Sequence, residues 1–360
     1  MNTGRFRRLL DTAGPFASVY FADSDDAGEM DAQVDLNWPA LHDQLKQLGA
    51  DDSVTAQIQH AVNHVRLPIG RGGRAVVASA TGVLLNEHLL WPAAEPVIRV
   101  SELPYIVPIL EYGFERPHYL LVVVDTSGAL ITSHADHTRS SETVKAGHGG
   151  ASETPGVEAY EFGDLTMRAV ADRVGELADH DSHDAMFVVG DASLRADLLA
   201  ALPDRLRGRA VALPLAVRRG GYDFVEIQRA IDTLLVRQRL SVMDSATERF
   251  TAEIGRRSGL AAEGLDAVCS ALRQGTVDTM IIGAIDDATV VADEGLTTVA
   301  PNCRALSEQD AASAKTLRAD EVLPMLAISS GASLVRTDER IAPADGIAAV
   351  LRSEPSQTRR

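Results

Sequence analysis

"YLLVVVDTSGALITSHA", residues 119–135, is the stretch on which the reading of this chain turns. Two β-rich runs flank Asp125-Thr126-Ser127-Gly128, and Gly128 stands where a positive φ costs little. The stretch predicts a β-hairpin. Downstream, "EFGDLTMRAVADRVGELADH" (161–180) carries Leu165, Val170, Val174 and Leu177 at helical spacing. "AMFVVG" (185–190) then reads as a short buried strand and "DASLRADLLAAL" (191–202) as a helix with Asp191 as its candidate cap. "GRAVALPL" (208–215) is a further strand. Strands alternating with helices predict a parallel or mixed sheet covered by helices.

Similar blocks lie on either side. Upstream, "SVYFA" and "GGRAVVASATGVLLNEHLL" read as strands, the latter broken by a Thr81-Gly82 turn. Between them "WPALHDQLKQLGA" and "VTAQIQHAVNHV" have helical spacing. "ILEYGFERPHY" (109–119) mixes Gly, Pro and charge as a domain junction does, and "VRRGGYD" (217–223) marks a second seam. Beyond it come a long helix over 224–257 and a helix stopped at Gly275 before a strand. "ADEVLPMLAISSGASLVRT" (319–337) repeats that order with Gly331 as the stop. The expected organisation is α/β, with domains at 1–113, 114–219 and 220–354 and a tail at 355–360.

A net charge of −17 over 360 residues argues against broad, non-specific binding of nucleic acid, because phosphate neutralisation needs surplus Lys and Arg. It leaves room for local basic patches such as Arg66, Arg71 and Arg74. Two isolated cysteines, Cys269 and Cys303, fit free thiols in a reducing compartment. No apolar run reaches the roughly 18–20 residues of a membrane span, and the basic start "MNTGRFRR" precedes no apolar segment of signal length. A cytoplasmic protein without a membrane partner is expected.

The chemistry centres on "VKAGHGGASE", residues 144–153. His134, His137 and His148 offer zinc ligands, but only Asp136 or Glu142 could complete the set and nothing in the sequence fixes either. A phosphate loop would sit directly between strand and helix and carry Gly-Lys-Ser/Thr, which is absent. Ser152 lacks the strained elbow of a hydrolase nucleophile. A solvated surface loop is the plain alternative.

The middle block resembles the middle domain of archaeal and eukaryotic class-1 release factors and of Pelota. That domain opens with an apolar strand, an Asp and a "GAL"-type turn, here "VVVDTSGALI" (122–131). It carries a basic, glycine-rich loop ending in Gly-Gly-Gln and a small residue. Here Gly149 and Gly150 match the glycines and Ser152 the small residue, while Ala151 replaces the glutamine. "GLDAVCSALRQGTVDTMIIG" (264–283) is similar to the family's helix–strand signature, and "ADGIAAVLR" (344–352) to its closing segment. "YIVPIL" (105–110) is like the apolar segment that closes the family's first domain, but no stop-codon-reading motif can be placed.

The resemblance implies three consecutive α/β domains in a tRNA-mimicking, release-factor-like arrangement. It places a loop at 139–153 in the peptidyl transferase centre, with Arg139, Lys145, Gly147, His148, Gly149, Gly150 and Ala151 at that contact, and Arg66, Arg71 and Arg74 toward the decoding centre. In the family the glutamine positions the hydrolytic water. Alanine has no hydrogen-bonding side chain, so no catalytic residue is expected. Neither metal nor cofactor is implied.

Among bacterial relatives the chain resembles the Balon group of ribosome hibernation factors and its mycobacterial dormancy-associated members. The resemblance implies a monomer in the ribosomal A site, contacting rRNA and delivered with elongation factor Tu. Two alternatives stay open: a peptidyl-tRNA hydrolase or tRNA nuclease using His148, and an interaction module unrelated to ribosomes.

Overall fold

Phe16–Ser24 (β1) is the central strand of a four-stranded antiparallel sheet. The computed structural model describes residues 4–24, 30–64, 71–89, 91, 93, 95–113, 118–126, 128–135, 138–145, 158–180, 183–215, 223–293, 295–305, 314–337 and 340–353. Its first helix is α1 (Arg7–Leu10). Strand β1 pairs with β2 (Arg71–Ser79) and β4 (Val97–Ser101), and β3 (Gly82–Leu89) pairs with β2, giving the order β3-β2-β1-β4. The period-two alternation of strands divides the apolar residues between two faces. Ala17, Val19, Phe21, Val76 and Ala78 pack with Trp38, Leu41 and Leu45 of α2 (Met30–Gln47) and with Val54, Ile58 and Ala61 of α3 (Asp52–His64). Phe16, Tyr20, Ala75, Val77 and Leu85 face the other way. The expected turn at Thr81-Gly82 joins β2 to β3, with Gly82 at φ 143°. Strand β4 was not expected, since all five of its residues are half-buried and no alternation shows. The helix α4 (Val107–Tyr112) follows.

The middle block is a mixed sheet between helices. Its strands are β5 (Tyr119–Asp125), β6 (Gly128–Ala135), β7 (Thr138–Lys145), β8 (Ala185–Val189) and β9 (Ala210–Leu213), in the order β7-β6-β5-β8-β9. The β5–β6–β7 meander is antiparallel, whereas β8 runs parallel to β5 and β9 parallel to β8. Leu120, Val122, Val124, Ile131, Met186 and Val188 form one core with Met167, Val170 and Val174 of α5 (Glu158–His180) and Leu198 of α6 (Ala192–Ala201). Asp191 precedes α6 at the cap position but its side chain makes no cap hydrogen bond. A short helix, α7 (Asp204–Arg207), leads into β9. Ile227, Ile231 and Leu235 of α8 (Phe224–Arg256) are buried at spacings of four, and Tyr119 Oη donates to Gln228 Oε1 of that helix at 3.3 Å.

The third block holds β10 (Ala261–Glu263), α9 (Gly264–Arg273), β11 (Val277–Ile282), β12 (Thr289–Ala292), β13 (Val299–Ala300), β14 (Lys315–Arg318), α10 (Ala319–Ser329), β15 (Ser333–Arg336) and β16 (Ile347–Leu351). Its sheets are ordered β10-β16-β11-β15 and β13-β12-β14. Helices α9 and α10 stop at Gly275 and Gly331, both at positive φ, as the sequence predicts. Val268 and Leu272 are buried in one core on which Leu265 packs, and Ile281 is buried in another with Phe250 and Val335.

The α/β class expected from the sequence is therefore the observed one. Three consecutive domains are not how its cores divide. One core cluster joins Phe6, Tyr20, Ile106 and Ile109 of the first block to Val268, Met280, Leu323 and Ile347 of the third. The chain forms two compact units, one of residues 1–114 with 238–360 and one of residues 115–237. The second unit ends inside α8, beyond the seam expected at 217–223.

Candidate functional site

The end of the middle sheet where β7 finishes is the place to look for function. There Asp125 pairs with Gly128 across the hairpin turn, and Gly128 pairs in turn with Lys145, the last residue of β7. Strand β7 ends at Lys145 and α5 begins at Glu158. Gly147, His148, Gly149, Gly150 and Ala151 fall between and lie outside the described residues, as do Arg66 and His137.

The loop expected at 139–153 begins later, because residues 138–145 form a full strand. Arg139 pairs with His134 and Lys145 with Gly128. The rise from Arg139 to Lys145 along the strand is about 20 Å at ~3.3 Å per residue. Arg139 thus stands at the opposite end of β7 from Lys145, and the two are not brought together.

Two side chains bind β7 to α5. Val144 packs on the core that includes Met167, Val170 and Val174. Two residues earlier, Glu142 accepts from both Nε and Nη2 of Arg173, at 2.8 and 2.7 Å. Arg173 Nη1 also donates to Glu176 at 2.6 Å. The hydrogen bonds from Arg173 hold the Glu142 carboxyl below its ordinary range, and both acids push the Arg173 guanidinium up. On the neighbouring strand end, a Cβ at Gly190 would meet the Val124 carbonyl oxygen at 2.6 Å, so β8 can run this close to β5 only with glycine there. Arg195 Nη1 donates to the Gly190 carbonyl at 2.5 Å.

At the other end of the sheet the His134 ring stacks on Tyr119, with centroids 4.4 Å apart and 12° between planes. Buried Ser133 and His183 are 2.8 Å apart from Oγ to Nε2, and Arg209 donates to the His183 carbonyl at 3.2 Å. The arrangement ties strand ends together. Of the ligand set considered for zinc, Glu142 is engaged by Arg173 and His134 stacks on Tyr119, while Asp136, His137 and His148 lie outside the described residues. Among the described residues no three His, Cys, Asp or Glu side chains converge as a metal site. No described helix is long and apolar enough to cross a membrane.

Arg74 needs a correction. It is 2% exposed and donates to the Val62 and Ala61 carbonyls at 3.0 and 2.6 Å and to Asn86 Oδ1 at 2.9 Å. It caps the end of α3 from inside the sheet, so it is a packing residue and not an outward RNA contact. Arg71 opens β2 opposite Ser24.

The Glu142–Arg173 pair was not legible in the sequence, where 31 residues separate a strand position from a helix position. The only available signal was phase. Glu142 shares the α5-facing parity of Val144, and Arg173 lies three residues after Val170 on the packed face of α5.

The profile described as "Bacterial archaeo-eukaryotic release factor family 2" matches residues 118–256. The chain is 38% identical over 363 aligned residues to the uncharacterized proteins Rv2629 and MT2704 of two Mycobacterium tuberculosis strains, covering 98% of this chain and 97% of each of them. Among solved structures it is similar to an archaeal Pelota described as ribosome-bound with ABCE1, with 15% identity, a TM-score of 0.43 and 98% and 94% of the two chains covered. It is also similar to Saccharomyces cerevisiae Dom34, described as interacting with Hbs1, with 11% identity, a TM-score of 0.39 and 80% and 81% covered. The chain belongs to one family with the mycobacterial proteins Rv2629 and MT2704, and its residues 118–256 match bacterial archaeo-eukaryotic release factor family 2.

Proposed function

We propose that this protein binds the ribosomal A site as a hibernation factor of the Balon type, delivered with elongation factor Tu, and blocks decoding and peptidyl transfer without releasing peptide. The observation that carries the reading is Ala151 at the position where release factors hold glutamine, within a chain that keeps Gly149 and Gly150. A methyl side chain neither donates nor accepts a hydrogen bond, so it cannot orient a water for hydrolysis. A retained loop without that group suits occupancy and not cleavage. In this reading Lys145, the last residue of β7, adds a phosphate contact that positions without reading sequence. The third block is the proposed contact for elongation factor Tu.

The test is co-sedimentation with 70S ribosomes, with and without elongation factor Tu, alongside release of labelled peptide from stalled complexes. Co-sedimentation without release is expected. Robust release would establish the hydrolase alternative, and no co-sedimentation would overturn the ribosome reading. Elongation factor Tu binding should be mapped with surface substitutions, because deleting residues 238–360 removes part of the core shared with the first block.

A further inference from the structure

We propose that Glu142 and Arg173 are positioning residues for ribosome binding, forming a clasp that aligns β7 with α5, the two elements flanking residues 146–157. The proposal rests on the ribosome reading above for its consequence, but on the geometry for its mechanism.

Among the described residues β7 is an edge strand, with backbone pairing from β6 on one side. Its attachment to the helix layer is made by alternate residues on one face: Val144 in the core and Glu142 in the fork of Arg173. An apolar contact such as that of Val144 resists separation of strand and helix but leaves sliding soft. The planar guanidinium meets both carboxylate oxygens of Glu142, and this bidentate geometry fixes direction as well as distance. Glu176, one turn along α5, holds the remaining end of the guanidinium and limits the rotamers of Arg173. The pair is solvent-exposed, with the Arg173 and Glu142 side chains 38% and 43% accessible, so it adds little to global stability. Its effect is on alignment. If the glycine-bearing residues must enter a confined RNA site, the strand end at Lys145 and the helix start at Glu158 have to be held in register before binding, which lowers the ordering cost of association.

The test uses the full chain as wild type, Glu142→Arg, Arg173→Glu and the double exchange. Thermal stability, hydrogen exchange of the β7 amides (138–145) and ribosome occupancy are measured on each. Each single variant is expected to keep its melting temperature, to exchange the β7 amides several-fold faster and to lose several-fold in ribosome affinity. The double exchange restores both in part, because the guanidinium and the carboxylate again face each other across strand and helix while Glu176 now repels the carboxylate introduced at position 173. Unchanged β7 exchange in both single variants overturns the clasp, whatever the ribosome result. Faster exchange with unchanged affinity overturns the positioning role. Absence of ribosome binding by the wild type overturns the ribosome reading instead, while the exchange data still decide whether the clasp exists.

Discussion

Arg239 Nη1 donates to the carbonyl of Gly113 at 2.6 Å, across 126 residues of sequence. Its other terminal nitrogen reaches the carbonyls of Leu110 and Glu111 at 2.5 and 2.7 Å, so a residue of α8 caps the end of α4. The final carbonyls of a helix have no intrahelical donor, and a cation suits the negative end of its dipole. Burial pulls the Arg239 guanidinium pKa down, with Glu111 opposing that shift. Arg239→Ala is therefore expected to cost on the order of 2–4 kcal/mol, since it strands three carbonyls at once. Lysine recovers only part, having no fork. Urea unfolding of the full chain measures it, and a loss under about 0.5 kcal/mol would show the carbonyls to be satisfied without Arg239.

Gly346 sits at φ 69°, and a Cβ there would overlap the carbonyl oxygen and carbon of Ala284. Both contact atoms are backbone, so neither can rotate away. Gly346→Ala should lose more than ~3 kcal/mol or fail to fold, because strain and overlap act together. Gly331→Ala is the control, compared by the same denaturant titration. It shares positive φ but has nothing within 4 Å, and should lose only ~1 kcal/mol.

Glu321 lies 3% exposed at the start of α10, 3.2 Å from Arg99 Nη1 and beside Asp320, while Arg318 holds Asp320 at 3.0 Å. Burial raises the Glu321 pKa, and the attraction of Arg99 does not cancel it. A folded pKa above the unfolded value gives a contribution fully present below the ordinary 4.5 and lost as pH rises through the raised value. Glutamine does not titrate. The stability of Glu321→Gln relative to wild type should thus rise with pH above 4.5, and a pH-independent difference in denaturant midpoints would contradict it.

Replacing Gly149 and Gly150 with valine tests the ribosome reading at its centre. A Cβ at either would crowd ribose or phosphate on close approach, whereas a substitution outside a packed core leaves global stability largely untouched. Ribosome occupancy should fall with the melting temperature unchanged. Occupancy of the wild type should also weaken with salt despite the −17 charge, because local phosphate contacts release counterions. Equal occupancy of variant and wild type would assign binding to the remaining parts of the chain.

The sequence by itself determined the local elements. The β5–β6 hairpin follows from two β-branched runs around Gly128, and the ends of α9 and α10 from glycines at positive φ. The helical phase of Val170 and Val174 showed which face of α5 is buried. These depend on periods of two and 3.6 and on backbone freedom, all short-range properties. Ala151 was equally legible, being a matter of identity at one position. Only the tertiary structure decided the rest. Arg74 and Arg71 look alike in "RGGR", yet Arg74 points into the carbonyls of α3, because strand parity and the placement of a distant helix end settle a guanidinium's partners. Arg139 and Lys145 looked like one basic loop until strand pairing set them at opposite ends of β7. The union of the first and third blocks in one core joins Tyr20 to Leu323, and no local pattern encodes it. It follows from which apolar faces remain uncovered once each block has formed its own sheet.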